Sequence, residues 1–184
     1  MKIESKRHSS ETIRRLRLNG VPELVLHEYD ENAIVNFCNK YPSSKYIFRD
    51  LSTPNGKYYF ASNIEECLSC AKTYESTFSI GISCFSYGGV ILLGEILVSG
   101  NNITLVARTD DKATHRNIYE QSEINFVNTT MENDKLWAVP GFNDLIKYII
   151  EHNLKDTIVE FVVFNHNVGI NNEKVLIVEL RSDY

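Results

Sequence analysis

The sequence predicts an α+β fold, antiparallel sheets packed with helices, on three observations. Short β-branched and aromatic runs bounded by Gly, Pro and Asn recur from Lys45 to Leu180. Amphipathic helical stretches stand among them, near the amino terminus, after Asp30, around Ile64 and around Leu145. No repeat, low-complexity tract or proline-rich linker breaks the order, so residues 1–184 read as one globular domain that can divide into subdomains 1–75 and 76–184.

Each element has a local signal. The start is basic, with Lys6, Arg7, Arg14, Arg15 and Arg17, and a helix is expected from about Ser10 to Asn19. Gly20 stands where its C-cap belongs, and Pro22 prevents continuation. A second helix is expected after Asp30, with Ile34, Phe37 and Cys38 on one face. Lys45–Arg49 reads as a strand, and the turn signal Pro54-Asn55-Gly56 folds it into a hairpin with Tyr58-Tyr59-Phe60. Asn63 caps the next helix, with Glu65 and Glu66 in the first turn where the helix dipole favours them. The runs 78–85, 90–98 and 103–108 then suggest an antiparallel meander turning at Tyr87-Gly88-Gly89 and Gly100-Asn101-Asn102. Residues 109–135 are polar and weakly patterned, as in a long functional loop, a covered excursion or a lid. Asn143 is the expected cap of a helix carrying the stripe Leu145, Ile146, Ile149 and Ile150. The runs Ile158–Phe164 and Val175–Leu180, joined by an Asn-rich loop, pair most simply as a hairpin.

The totals exclude several classes. With 43% hydrophobic and 23% charged residues, a chain of 184 residues buries a core without disulfides or a structural metal. No run approaches the roughly 20 apolar residues of a membrane span, so no membrane role is expected. The basic amino terminus lacks the apolar run of a secretory signal. Cys38, Cys67, Cys70 and Cys84 therefore read as reduced thiols of a cytoplasmic protein. A net charge of −5 argues against general nucleic-acid binding while leaving room for a local basic patch.

The last hairpin holds a local conflict. Folded symmetrically, with Phe164 opposite Val175 and Val162 opposite Ile177, it sets Glu160 against Glu179. Both acids then project from one face, and like charges facing each other destabilise a sheet. A divalent cation would resolve this, since magnesium favours one or two carboxylates completed by phosphates and water. The alternative is a register shift of two residues, with Arg181 or Lys174 neutralising either acid at an exposed face.

The order of these segments resembles the nucleotide-binding part of the ATP-grasp superfamily. Arg14–Pro22, with its Gly20-Val21-Pro22 turn, is similar to the opening segment of that family. Tyr46–Asp50 resembles the strand that offers a cation to the nucleotide phosphates, with Arg49 where most relatives carry lysine. Ser52–Lys57 resembles the phosphate-covering loop, with Gly56 its one glycine. Glu160 and Glu179 stand where the family has two acidic metal ligands. Glu179-Leu180-Arg181 places arginine where the Glu-x-Asn-x-Arg signature has its asparagine ligand, which argues against two-metal chemistry. The pattern spans roughly residues 10–181 and implies a two-subdomain architecture without the separate substrate domain of most members.

The resemblance implies ATP and magnesium as cofactors. Arg49, with Ser52, Asn55, Gly56 and Lys57, would bind the phosphates, and Glu160 and Glu179 the metal. Arg181 or Arg108 would neutralise charge on a transferred phosphoryl group. The implied reaction is ATP-dependent carboxylate–amine ligation, with a partner chain supplying the substrate domain. Its competitor is a degenerate, non-catalytic module that binds a protein partner. A third, weaker option is a nucleic-acid-associated factor using the basic amino-terminal helix. Other motifs read as structure: Cys67-Leu-Ser-Cys70 lies in an amphipathic helix, and His115, His152 and His166 lack metal spacing. Tyr119 and Trp137 border the polar segment as pocket or packing residues, and Arg14, Arg15 and Arg17 form a solvated face that could meet a phosphate-bearing partner.

Overall fold

The computed structural model describes residues 2–3, 5–52, 58–109 and 122–182. Two compact units emerge: Val21–Ser86, and Met1–Gly20 together with Tyr87–Tyr184. Each is built on its own antiparallel sheet.

The smaller unit runs β1 (Glu23–Leu26), α2 (Glu31–Lys40), β2 (Tyr46–Asp50), β3 (Tyr58–Ala61), α3 (Ile64–Ala71) and β4 (Phe78–Ile82), after α1 of the other unit. Its sheet order is β1-β4-β2-β3. α2 begins after Asp30, as the sequence suggests, and Asp30 caps it by accepting from Ala33 N at 2.9 Å. Asn63 caps α3 by accepting from Glu66 N at 2.8 Å, and Glu66 accepts from Ser62 N at 2.8 Å, the reciprocal pair of a capping box. Ile34, Phe37, Cys38, Phe48, Cys67, Phe78 and Ile80 form the core of this unit. The expected three-strand meander does not form, because β4 inserts between β1 and β2. Tyr87-Gly88-Gly89 is thus no hairpin turn but the connection from one sheet to the next, with both glycines at positive φ.

The larger unit begins with α1 (Lys6–Arg15), which starts earlier than the sequence suggests because Ser5 is its cap, accepting from His8 N at 3.1 Å. The helix closes as a Schellman motif, with Arg17 at φ 55°, Arg17 N on Arg14 O and Leu18 N on Ile13 O. Gly20 is therefore not its C-cap; it forms a parallel bridge to Ile177, where a side chain would strike Ile13. β5 (Val90–Ser99), β6 (Asn102–Arg108), β7 (Ile124–Thr130), β8 (Ile158–Val168) and β9 (Glu173–Arg181) form a sheet in the order β7-β6-β5-β8-β9. β7 and the short α4 (Asp134–Trp137) occupy part of the polar segment. Gly141, at φ 78°, not Asn143, begins α5 (Phe142–Glu151). Phe142, Leu145 and Ile149 of α5 share a core with Leu105, Ile96, Val159, Phe161 and Leu180.

Candidate functional site

The candidate site is a row of acids across the face of the larger sheet opposite that core. Glu95 on β5 pairs in register with Glu160 on β8, and Glu160 pairs with Glu179 on β9. The facing of Glu160 and Glu179 is as expected, but the register that produces it is not. Val163 faces Val175 and Val162 faces Leu176, one residue away from the symmetric hairpin. Continued along the strands, that register would turn Glu179 toward the core. A β-bulge between Phe161–Ile177 and Glu160–Glu179 leaves Val178 without an opposite residue and restores Glu179 to the face of Glu160.

The row lies in a largely dry setting. Glu95 is 5% exposed and Glu160 7%, and Gly94 beside Glu95 is so closely approached by Val106 and Ala107 that no side chain fits there. Arg181, two residues beyond Glu179, forms an ion pair with Glu95. Lys6 of α1 reaches Glu179 at 3.3 Å. Burial pushes the Glu179 carboxyl above its ordinary value; Lys6 opposes this, Glu160 adds to it and Arg181 opposes it. The strand is held in place by Ser9 of α1, whose buried hydroxyl accepts from Leu180 N at 2.7 Å. At its far end Asn19 clamps the hairpin, donating to Val168 O at 3.0 Å and Val175 O at 2.7 Å and accepting from Asn171 N at 2.9 Å.

Arg108 shares this face, two residues along β6 from Val106, the partner of Glu95. It pairs with Glu123 at 3.3 Å. Glu160, Glu179, Arg181 and Arg108 thus stand on one sheet face. Among the described residues no group of three His, Cys, Asp or Glu side chains is placed to hold a metal. Glu160 and Glu179 face each other as two carboxylates, hard oxygen donors of the kind that magnesium accepts when phosphates and water complete its shell.

In the smaller unit, Arg49 stands between Tyr58 on β3 and Ser79 on β4. Ile47, between Phe60 and Gly81, shares its face. This face offers ring surface and positive charge together. Tyr58 and Phe60 are 45% and 53% exposed, their rings 5.5 Å apart edge to face, and the Lys45 ammonium lies 4.0 Å from the Phe60 ring centre. Ser52 folds back on Asp50, its N and Oγ donating to Oδ1 at 2.8 and 2.5 Å. These donations hold the Asp50 carboxyl below its ordinary value. Asn55, Gly56 and Lys57 lie outside the described residues, as do His115 and Tyr119.

Sequence reasoning missed Glu95, although an acid inside Ile91–Val98 is the same signal that singled out Glu160 and Glu179. The aromatic face has no sequence signal of its own, because Tyr58-Tyr59-Phe60 beside a turn marks only a strand. Cys67 is buried and Cys70 half-buried, and burial raises both thiols above their ordinary values. Trp137 packs on Phe142 and donates to Met131 O, while His152 stacks on Tyr148.

No protein-family model matches the sequence, and no curated protein does. Solved structures do match the fold. The D-alanine–D-alanine ligase from Coxiella burnetii superposes with a TM-score of 0.51 over 97% of this chain and 47% of its own, at 14% identity. An ADP complex of N5-carboxyaminoimidazole ribonucleotide synthetase gives a TM-score of 0.51 over 100% of this chain and 45% of its own, at 9% identity. The chain spans slightly under half the length of these structures.

Proposed function

Because the chain carries an ATP-grasp-like fold with two antiparallel sheets and packed helices, we propose that it binds ATP with magnesium as the nucleotide-binding part of an ATP-dependent carboxylate–amine ligase. The observation that carries this reading is the bulge in β9. It holds two glutamates face to face in an apolar setting, at a cost in repulsion that an unused surface pair would not need. Glu160 and Glu179 would hold magnesium, which when bound offsets the charge of the phosphates. Arg49, as a planar fork donor, would bind phosphate oxygens, and the Ile47–Phe60 face would pack against the flat, apolar part of the nucleotide. Ser52 and, beyond it, Asn55, Gly56 and Lys57 would cover the phosphates. Arg108 and Arg181 would offset charge that develops on a transferred phosphoryl group. On this reading a partner chain would supply the substrate-recognising part, and the protein would work in the cytoplasm.

One observation favours a second reading. Arg181 is engaged by Glu95 rather than turned to solvent, so the row can be a self-neutralised remnant in a module that binds a protein partner without catalysis. Calorimetry separates the two. The wild-type chain is titrated with ATP with and without magnesium, beside the double variant Glu160→Gln, Glu179→Gln checked for folding by circular dichroism. Magnesium-dependent binding lost in the folded variant is the expected result. No heat at millimolar ATP from folded wild-type protein overturns the nucleotide reading.

A further inference from the structure

The end of α1 carries a feature that nucleotide binding does not use. Arg14, Arg15, Leu16 and Arg17 are four exposed residues in succession, in a chain whose net charge is −5. Leu16 is 41% exposed. The Schellman turn fixes this segment, and Asn171 Nδ2 donates to Arg17 O at 2.8 Å, which brings the β8–β9 loop alongside it. Next to Asn171, Ile170 is 45% exposed. Two exposed aliphatic residues thus stand next to this arginine run, Leu16 within it and Ile170 on the loop that Asn171 ties to it. The base beneath them is rigid, since Leu18 and Asn19 are fully buried. Neither the Arg14 nor the Arg17 guanidinium has an ion-pair partner among the described residues. The nearest acid along the helix, Glu11, is held by Arg7 at 2.9 Å.

We propose that this patch, Arg14, Leu16, Arg17 and Ile170, docks an acidic peptide segment of a protein partner that also carries aliphatic residues. Charge complementarity selects an anionic partner, and the exposed aliphatic pair selects one with apolar side chains to bury. The size of the patch selects a peptide over an extended anionic surface. At physiological salt a cluster of charges acts over about 8 Å. A short acidic segment meets only this local field, whereas a lipid bilayer or a nucleic-acid strand would also meet the rest of a chain that is net negative. The inference does not depend on nucleotide binding.

The test is selection of a random twelve-residue peptide library displayed on phage, using the full chain as bait. Enriched peptides are then measured by fluorescence anisotropy at two salt concentrations. Peptides combining Asp or Glu with Leu, Ile or Val are expected, with affinity falling as salt rises. Two variants keep the fold, checked by circular dichroism: Arg14→Gln with Arg17→Asn, asparagine being tolerant of positive φ, and Leu16→Ser with Ile170→Ser. Each is expected to weaken binding about tenfold or more. Enriched peptides without acidic bias, or binding by either variant as tight as by wild type, overturn the proposal. So does tighter, Arg14- and Arg17-dependent binding of polyuridylate or of phosphatidylserine vesicles, which would assign the patch to nucleic acid or lipid instead.

Discussion

In the larger sheet, β8 is buried at every position from Ile158 to Phe164, while β3 of the smaller sheet exposes Tyr58, Tyr59 and Phe60 in succession. The same residue types thus do different work. Apolar side chains in β8 hold the unit together, and its one acid stands out because every neighbour is dry. In β3 the rings are half-exposed: Tyr58 and Phe60 meet edge to face on one side of the strand, and Tyr59 packs on Tyr74 on the other. Phe161→Ala against Phe60→Ala breaks or sharpens this contrast most strongly. Loss of the fully buried Phe161 ring is expected to cost about 3–5 kcal/mol in urea unfolding. Loss of Phe60 is expected to stay within about 0.5 kcal/mol, since it is more than half exposed. A comparable cost at Phe60 would mean that β3 is structural rather than a binding face.

The contrast also explains what could be read from the sequence. Helix ends were legible at Asp30 and Asn63, where a side chain caps the start, though not at Ser5, which caps α1 in the same way. They were not where backbone geometry decides: α1 ends on Arg17 at positive φ, and Gly141 starts α5 without a side-chain cap. Strand pairing was legible between neighbours but not across the topology, so the insertion of β4 between β1 and β2 escaped a reading based on adjacent turns. The pairing of Glu160 with Glu179 was legible for an incomplete reason. A symmetric hairpin sets them opposite, whereas the molecule slips by one residue and corrects itself with a bulge.

Asn19 sharpens the comparison within the larger unit, because it is a buried polar residue with every contact structural. Asn19→Ala leaves the carbonyls of Val168 and Val175 and the amide of Asn171 without this partner. The expected loss is about 3 kcal/mol, given about 1–3 kcal/mol for each buried group left unsatisfied and some relaxation of the loop. Arg181→Ala should come next, at on the order of 2 kcal/mol. That is below the about 3–5 kcal/mol of a fully buried pair, because the Arg181 side chain is 29% exposed. Adding Glu95→Gln should restore part of the loss, as measured in a double-mutant cycle. Independent, additive effects would show that Arg181 and Glu95 do not depend on each other.

The smallest effect concerns charge alone. Burial first, and Glu160 after it, raise the Glu179 carboxyl above its unfolded value, with Lys6 and Arg181 pulling the other way. For an acid shifted upward, the folded state holds the proton more tightly than the unfolded chain. Its contribution to stability is therefore full at acidic pH, below the unfolded value near 4.5, and is lost as pH rises through the folded value. Glu179→Gln keeps the size of the side chain and removes this titration. The variant is expected to lose that fall in stability with rising pH, and to match or exceed wild type at neutral pH. Its broken contact with Lys6 should matter little, since Lys6 is 59% exposed. Thermal unfolding from pH 4 to 8 checks this, and the sign is what decides. A variant less stable than wild type at neutral pH would mean that Glu179 is held ionised by its cations, and that repulsion across the hairpin is not the state a bound metal would relieve.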